Sequence, residues 1–282
     1  MGRNPTDSRQ NRQSSAPATN RKCYLRLAIV AQGVAFEVGL NDLPLAASGE
    51  TADCQTDFGV NEFATGQDVL WARVIGQGHL SAELYLADPE KPEPTPLQVL
   101  AKLDYPGDAD RFEQEPSGID NYPRHLGRLP VDYGDPRLPI RVAPFWGQAE
   151  RLGPDLQPGQ RQQVLGLMES IRGMVLAKNA TALTNAMAYR TRDVASANYH
   201  DPARKAQIVR EEIDGVFQGS GTVSALDLDP EGIEWVVGAN ERIVLARQAL
   251  AFAMPLSFEV DDVEFGLECY FGRVKGEWLL VR

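Results

Sequence analysis

The chain has 282 residues, 43% of them hydrophobic and 24% charged, with a formal net charge of −11. That composition is globular rather than disordered, and the length holds one large domain or two ordinary ones. The acidic balance argues against DNA or RNA binding, which needs a basic face; its plainer reading is solubility, and its other a protein partner that is itself basic.

Residues 1–22 hold five basic residues, one acid and no large apolar side chain, which reads as a disordered tail. A secretory signal needs an uninterrupted apolar run after its basic start, and Arg26, Gln32 and Glu37 interrupt the only candidate. No stretch approaches the roughly 20 apolar residues of a membrane span. The expected location is cytoplasmic. Three cysteines, Cys23, Cys54 and Cys269, form no CxxC pair, and an odd count gives no disulfide framework. A reducing compartment is the simplest inference, with a Cys23–Cys54 bridge open to an exported protein.

From Tyr24 to about Leu86 the signals are those of strands. "YLRLAIV" and "VAFEVGL" alternate, with Gln32-Gly33 as a tight connection, and "DVLWARVIG" and "HLSAELYL" follow Gly- and Asn-rich turns. This predicts a β-sandwich. "VAFEVGLNDLPL…VNEFATGQDVLWARV" resembles the strand–turn pattern of jelly-roll and immunoglobulin-like accessory domains. In that pattern Asn41-Asp42 is the corner, Asn61 and Gly66 the later turn, and Leu70, Arg73 and Val74 the strand, while Asp68 stands where the pattern prefers Asn. The resemblance implies a domain that binds sugars or proteins, or supports a neighbour.

Four prolines between Pro89 and Pro96 mark an extended connection, and "LQVLAKLDYP" returns as one strand. The stretch from Pro106 to Pro139 is polar, rich in Pro and Gly, and reads as one long loop. It concentrates Arg111, Tyr122, Arg124, His125, Arg128, Tyr133 and Arg137, and Arg and aromatic residues are enriched at binding hot spots. Arg111, Tyr122, Arg124, Arg128, Tyr133 and Arg137 are therefore the candidate protein-binding residues, against the plainer reading of a surface loop. "IRVAPFWGQ" reads as the last strand of this half.

After a linker, helices begin. Val164, Met168, Ile171 and Val175 form one stripe, Asn179 caps a second helix through Leu183, Met187 and Val194, and Asp201-Pro202 starts a third. The third helix turns Ala206, Val209, Ile213 and Val216 inward. After Gly221 the period switches to 2. "TVSALDLD", "GIEWVVG", "RIVLARQALAF", "LSFEVDD", "VEFGLECYFG" and "GEWLLVR" are strand candidates, the last two joined at Lys275-Gly276 by a two-residue turn. That turn sets Arg273 opposite Trp278 and Phe271 opposite Leu280.

Helices followed by antiparallel strands ending in "FGRVKGEWLLVR" resemble the nuclear-transport-factor-2-like superfamily of α+β cones, and "MVLAKNATALTNAM" is similar to its first helix pair, with Asn179 where Asp is usual. The resemblance implies a curved sheet around helices, a pocket between them and, in enzymatic members, an Asp or His–Asp dyad. It also implies dimerisation through the exposed sheet face. Tyr189, Tyr199, His200, Trp235, Tyr270 and Trp278 are the candidate pocket residues. Asp201 is better explained as a helix cap than as half of a dyad with His200, so no catalytic residue is assigned.

No GxSxG elbow, P-loop, HExxH or complete GxGxxG is present. "DLDPEGIEWVVG" has Asp227, Asp229, Glu231 and Gly232 at EF-hand spacing but ends on Gly238 where the bidentate acid belongs. No metal and no cofactor is expected. The reading is a tail over 1–22, an all-β sandwich over 23–148, a linker over 149–159, and an α+β domain over 160–282 with helices packed on a curved antiparallel sheet. The favoured function is a non-enzymatic interaction protein, with an accessory or immunity-type role in a bacterial secretion or toxin system as one setting. The other is a small-molecule pocket with isomerase- or dehydratase-type chemistry. The pocket reading expects a cavity, and the interaction reading expects the cone filled by Trp235, Phe252, Phe258, Phe265 and Trp278.

Overall fold

A computed structural model describes residues 23–88, 91, 96–116, 122–134, 145–219, 222–225, 228–248, 255–260 and 263–282. The tail over 1–22, Arg137, Phe252, Asp227 and the first part of "IRVAPFWGQ" lie outside the described residues, as does the side chain of Phe265.

The chain opens with β1 (Tyr24–Leu40) and β2 (Leu43–Gly59), joined at Asn41-Asp42 with positive φ at both residues. This is the two-residue turn whose backbone matches strand twist. β3 (Val69–Ile75), β4 (His79–Ala87), β5 (Pro96–Tyr105), β6 (Phe112–Glu115) and β7 (Arg124–Pro130) complete a seven-stranded antiparallel sheet. Its order is β5-β4-β1-β3-β7-β6, with β2 beside β1. The sheet curls until Tyr105 of β5 meets Phe112 of β6 and His125 of β7, with ring centroids 5.2 and 5.0 Å apart. One nearly closed sheet thus stands where the sequence predicts a two-sheet sandwich.

Two corrections follow from this sheet. Gln32-Gly33 is a bulge inside one long strand and not a turn between two, with Gly33 at φ 64°. Leu25, Leu27, Ile29 and Ala31 face the core before it; Val34, Phe36, Val38 and Leu40 do so after it. The bulge switches the parity of the alternation so that one face stays inward along all 17 residues. The expected long loop after Pro106 contains β6 and β7. Its strand character is masked because only Leu126 and Gly127 of β7 are buried, and a side chain at Gly127 would strike the Phe112 ring.

Phe145–Gln148 is a short 3-10 turn, not a strand, and it buries Trp146. The helices are α1 (Pro158–Leu176), α2 (Ala180–Ala186), α3 (Ala188–Ala197) and α4 (Pro202–Gln218). The predicted stripe of α1 is fully buried, Asn179 accepts from the Ala182 N–H, and Asp201 accepts from the Arg204 N–H at 2.7 Å. The second predicted helix breaks at Met187 into α2 and α3. In the last turn of α4, Phe217 is buried and Val216 is exposed, the reverse of the expected register.

Seven strands follow: β8 (Val223–Ala225), β9 (Ile233–Gly238), β10 (Ile243–Gln248), β11 (Leu256–Val260), β12 (Val263–Leu267), β13 (Tyr270–Val274) and β14 (Glu277–Leu280). They form a four-stranded sheet, β14-β13-β10-β9, and a three-stranded one, β12-β11-β8. The Lys275-Gly276 turn and the register Arg273↔Trp278 and Phe271↔Leu280 are as the sequence predicts. "VEFGLECYFG", however, breaks at Glu268-Cys269 and sends β12 and β13 to different sheets.

The hydrophobic core crosses residues 149–159. One cluster joins Leu27, Leu40, Phe63 and Trp146 to Ile243, Leu245, Tyr270 and Val281. A second, holding the α1 stripe, Val244, Phe258 and Phe271, lies on the other face of the four-stranded sheet. That sheet is thus covered by helices on one side and by the amino-terminal sheet on the other, which takes up the face expected to serve dimerisation.

Candidate functional site

Two polar regions stand out. The first is the seam between the amino-terminal sheet and the four-stranded sheet. β1 carries Glu37, whose side chain is only 4% exposed, and β3 sets Arg73 directly across from it. Arg73 reaches Glu37 at 2.6 Å and Glu115 of β6 at 2.7 Å. Arg247 of β10 contacts the other oxygen of Glu37 and lies 2.8 Å from Glu234, its cross-strand neighbour on β9. Hydrogen bonding and attraction to these carboxylates keep both guanidiniums more basic than usual, although burial opposes this.

A second set of charges lies further along the seam. Arg282 bonds Glu62 at 3.1 Å and Glu268 at 3.0 Å, with its guanidinium 4.3 Å from the centre of the Phe63 ring. Nearby, burial pushes the Arg190 guanidinium toward a lower pKa, and its Nε has no hydrogen-bond partner among the described residues. Burial pushes the Cys269 thiol up to about 12, so it stays protonated and unreactive at neutral pH. A cleft of ≈ 110 Å³ lies between Pro44–Ala47 and the strands carrying Arg247 and Tyr270. It is well below the ~300–1,000 Å³ of ordinary ligand pockets.

The predicted pocket residues do not converge. The Tyr270 hydroxyl donates to the Pro44 carbonyl at 2.7 Å, and the Trp278 indole donates to Gln163 at 2.8 Å. Tyr189 lies under the Arg192 guanidinium, Tyr199 packs beside Tyr24, and Trp235 sits half-buried on β9. His200 is exposed, and Asp201 is occupied as a cap. Phe258 is buried, and Trp235 and Trp278 pack against the second core. No cluster of three or more His, Cys, Asp or Glu able to hold a metal occurs among the described residues. Asp229 instead accepts from the Glu231 N–H in a local turn. Cys54 lies across from Ala31, eight residues on from Cys23, and no disulfide joins the two cysteines.

The second region is the outer edge of β5. Here Leu97 and Val99 are 41% and 48% exposed. An open groove of ≈ 590 Å³ is lined by Val99, Leu100, Ala101, Lys102 and Asp104, by Gly107, Asp108 and Arg111 after the strand, and by Leu129 of β7. Asp104 is held by His79 at 2.9 Å, and Lys102 stands 3.8 and 4.0 Å from its nearest carboxylates.

The candidate binding residues distribute unevenly about this groove. Arg111 lines it from a 3-10 turn, and Tyr122 is exposed just before β7. Arg124 and Arg128 are strand residues opposite Ile75 and Trp71, and Arg128 is exposed. Tyr133 is half-buried, and its hydroxyl donates to Asp68, so burial beside that carboxylate raises its pKa. Asp68 also accepts from Asn41 and Thr65, tying three segments together in a structural role. Sequence reasoning missed Leu97, Val99, Lys102 and Leu129. The alternation of "LQVLAKLDY" marks a strand but carries no sign that a groove runs beside it. Compared with family models, with curated proteins and with solved structures, the chain matches none.

Proposed function

We propose that the chain is a non-enzymatic binding protein that holds a protein partner at the groove beside β5. The observation that carries this reading is the pairing of an open groove with exposed Leu97 and Val99 and with the exposed Arg111. Apolar anchors beside an arginine are the composition of interface hot spots. The scattering of Tyr189, Tyr199, His200 and Tyr270 supports the same reading, because acid–base catalysis needs groups aimed at one point. The small seam cleft gives the pocket reading less support. A net charge of −11 speeds encounter with a partner that is basic overall, while the groove's own charges act at contact.

The test is affinity capture from the source cells with the whole chain and with a Val99→Glu, Arg111→Glu variant. The expected result is one stoichiometric protein, recovered about tenfold less by the variant. Equal recovery by both, or no specific protein from either, overturns the reading.

A further inference from the structure

The groove reading above leaves open how the partner is held. Resting on it, we propose that the groove takes an extended peptide segment of the partner as an added strand along the edge of β5 that no described strand pairs. Successive side chains of a strand point to opposite faces. A bulge at Leu100 breaks that alternation, but the groove lies between β5 and Leu129 of β7, strands that do not pair with each other among the described residues, so it runs along their facing edges. Among the described strands only β4 pairs with β5. On the other edge the described residues supply one backbone bond, from the Asp132 N–H to the Leu100 carbonyl at 3.2 Å.

The groove also borders a second edge that no described strand pairs. β6 pairs with Arg124 to Gly127 of β7 and stops, so Leu129 lies beyond its reach. A row of unpaired backbone donors and acceptors is a template for another strand, and native proteins usually blunt such edges. Pro96, Lys102 and the bulge opposite Leu84 and Tyr85 blunt the β5 edge only in part, since Leu97 and Val99 stand exposed among them.

The charges narrow the segment's chemistry. Asp104 is already satisfied by His79, whereas Arg111 and Asp108 carry no ion pair among the described residues. A complementary segment places an acid at Arg111 and a base at Asp108, with apolar residues at alternate positions over Val99 and Leu129.

The probe is a displayed library of short linear peptides, panned against the whole chain. The selected peptides are expected to alternate apolar residues and to carry an acid. Binding is expected to slow amide exchange over residues 97–104 by about tenfold or more and to leave the carboxy-terminal strands unchanged. N-methylation of successive peptide amides is expected to weaken binding with a period of two, a pattern that docking on a face does not produce. Arg111→Glu is expected to weaken binding about tenfold, and an acid-to-lysine change in the peptide to restore it. Absence of binders, protection elsewhere, or an N-methylation profile without alternation overturns strand addition. If capture from cells still depends on Val99 and Arg111 in that case, the binding reading stands and only this mode falls.

Discussion

The seam and the groove are built from the same materials, arginines and carboxylates presented by β-strands, and they are left in opposite states. In the seam, Glu37 is shared by Arg73 and Arg247, and each arginine has a second carboxylate in Glu115 or Glu234. In the groove, Lys102 holds its carboxylates only at 3.8–4.0 Å, and apolar side chains stand in water beside it. A buried charge without a partner is costly, so the closed region must satisfy its charges internally. An exposed edge has no such constraint and can leave its complement to another molecule. The difference separates charges that join the two halves of this chain from charges held loosely at an exposed edge.

Breaking the seam should have the largest effect. Glu37→Ala leaves two guanidiniums facing each other without their shared carboxylate, and should destabilise by about 3 kcal/mol in urea unfolding. That lies at the low end for buried pairs because Arg73 is partly solvated. Tyr270→Phe removes the donor to the buried Pro44 carbonyl and should cost about 1–2 kcal/mol. Asp201→Ala uncaps α4, away from both regions, and should cost about 1 kcal/mol. Val99→Glu with Arg111→Glu, at exposed groove positions, should change stability by less than about 0.5 kcal/mol. A large loss there would show that the groove is part of the fold's own support.

The alkaline limb sharpens the same comparison. Burial, then the bond to Asp57, raises the Tyr85 hydroxyl to about 12, and burial raises Tyr270 as well. The folded chain therefore keeps protons that the unfolded chain releases near pH 10. Stability should be full below about pH 10 and fall as pH rises toward about 12, because the unfolded state then binds fewer protons. Tyr85→Phe should flatten that slope in urea midpoints measured across the window, and the groove variant should leave it unchanged.

Much of the fold could be read locally. The α1 stripe, the caps at Asn179 and Asp201, and the Lys275-Gly276 turn each depend on residues within a few positions of one another. What escaped depends on distant partners. β7 looks like loop because it gains its place from β3, more than fifty residues earlier, and Tyr133 looks like a surface anchor until Asp68 is placed against it. At the break after β12, Glu268 pairs with the distant Arg282, while the alternation of side chains in the sequence runs on past it. Of the candidate site, Arg111 and Tyr122 were legible by composition, and the apolar residues of the groove were not.

The central claim is that contact with a partner occurs at β5. A photo-activatable phenylalanine analogue at position 99, compared in cells with the same analogue at position 176, tests it most directly, since Val99 and Leu176 are both exposed. The account predicts one cross-linked species from position 99 and none in common from position 176. The same species from both positions, or from 176 alone, would contradict it.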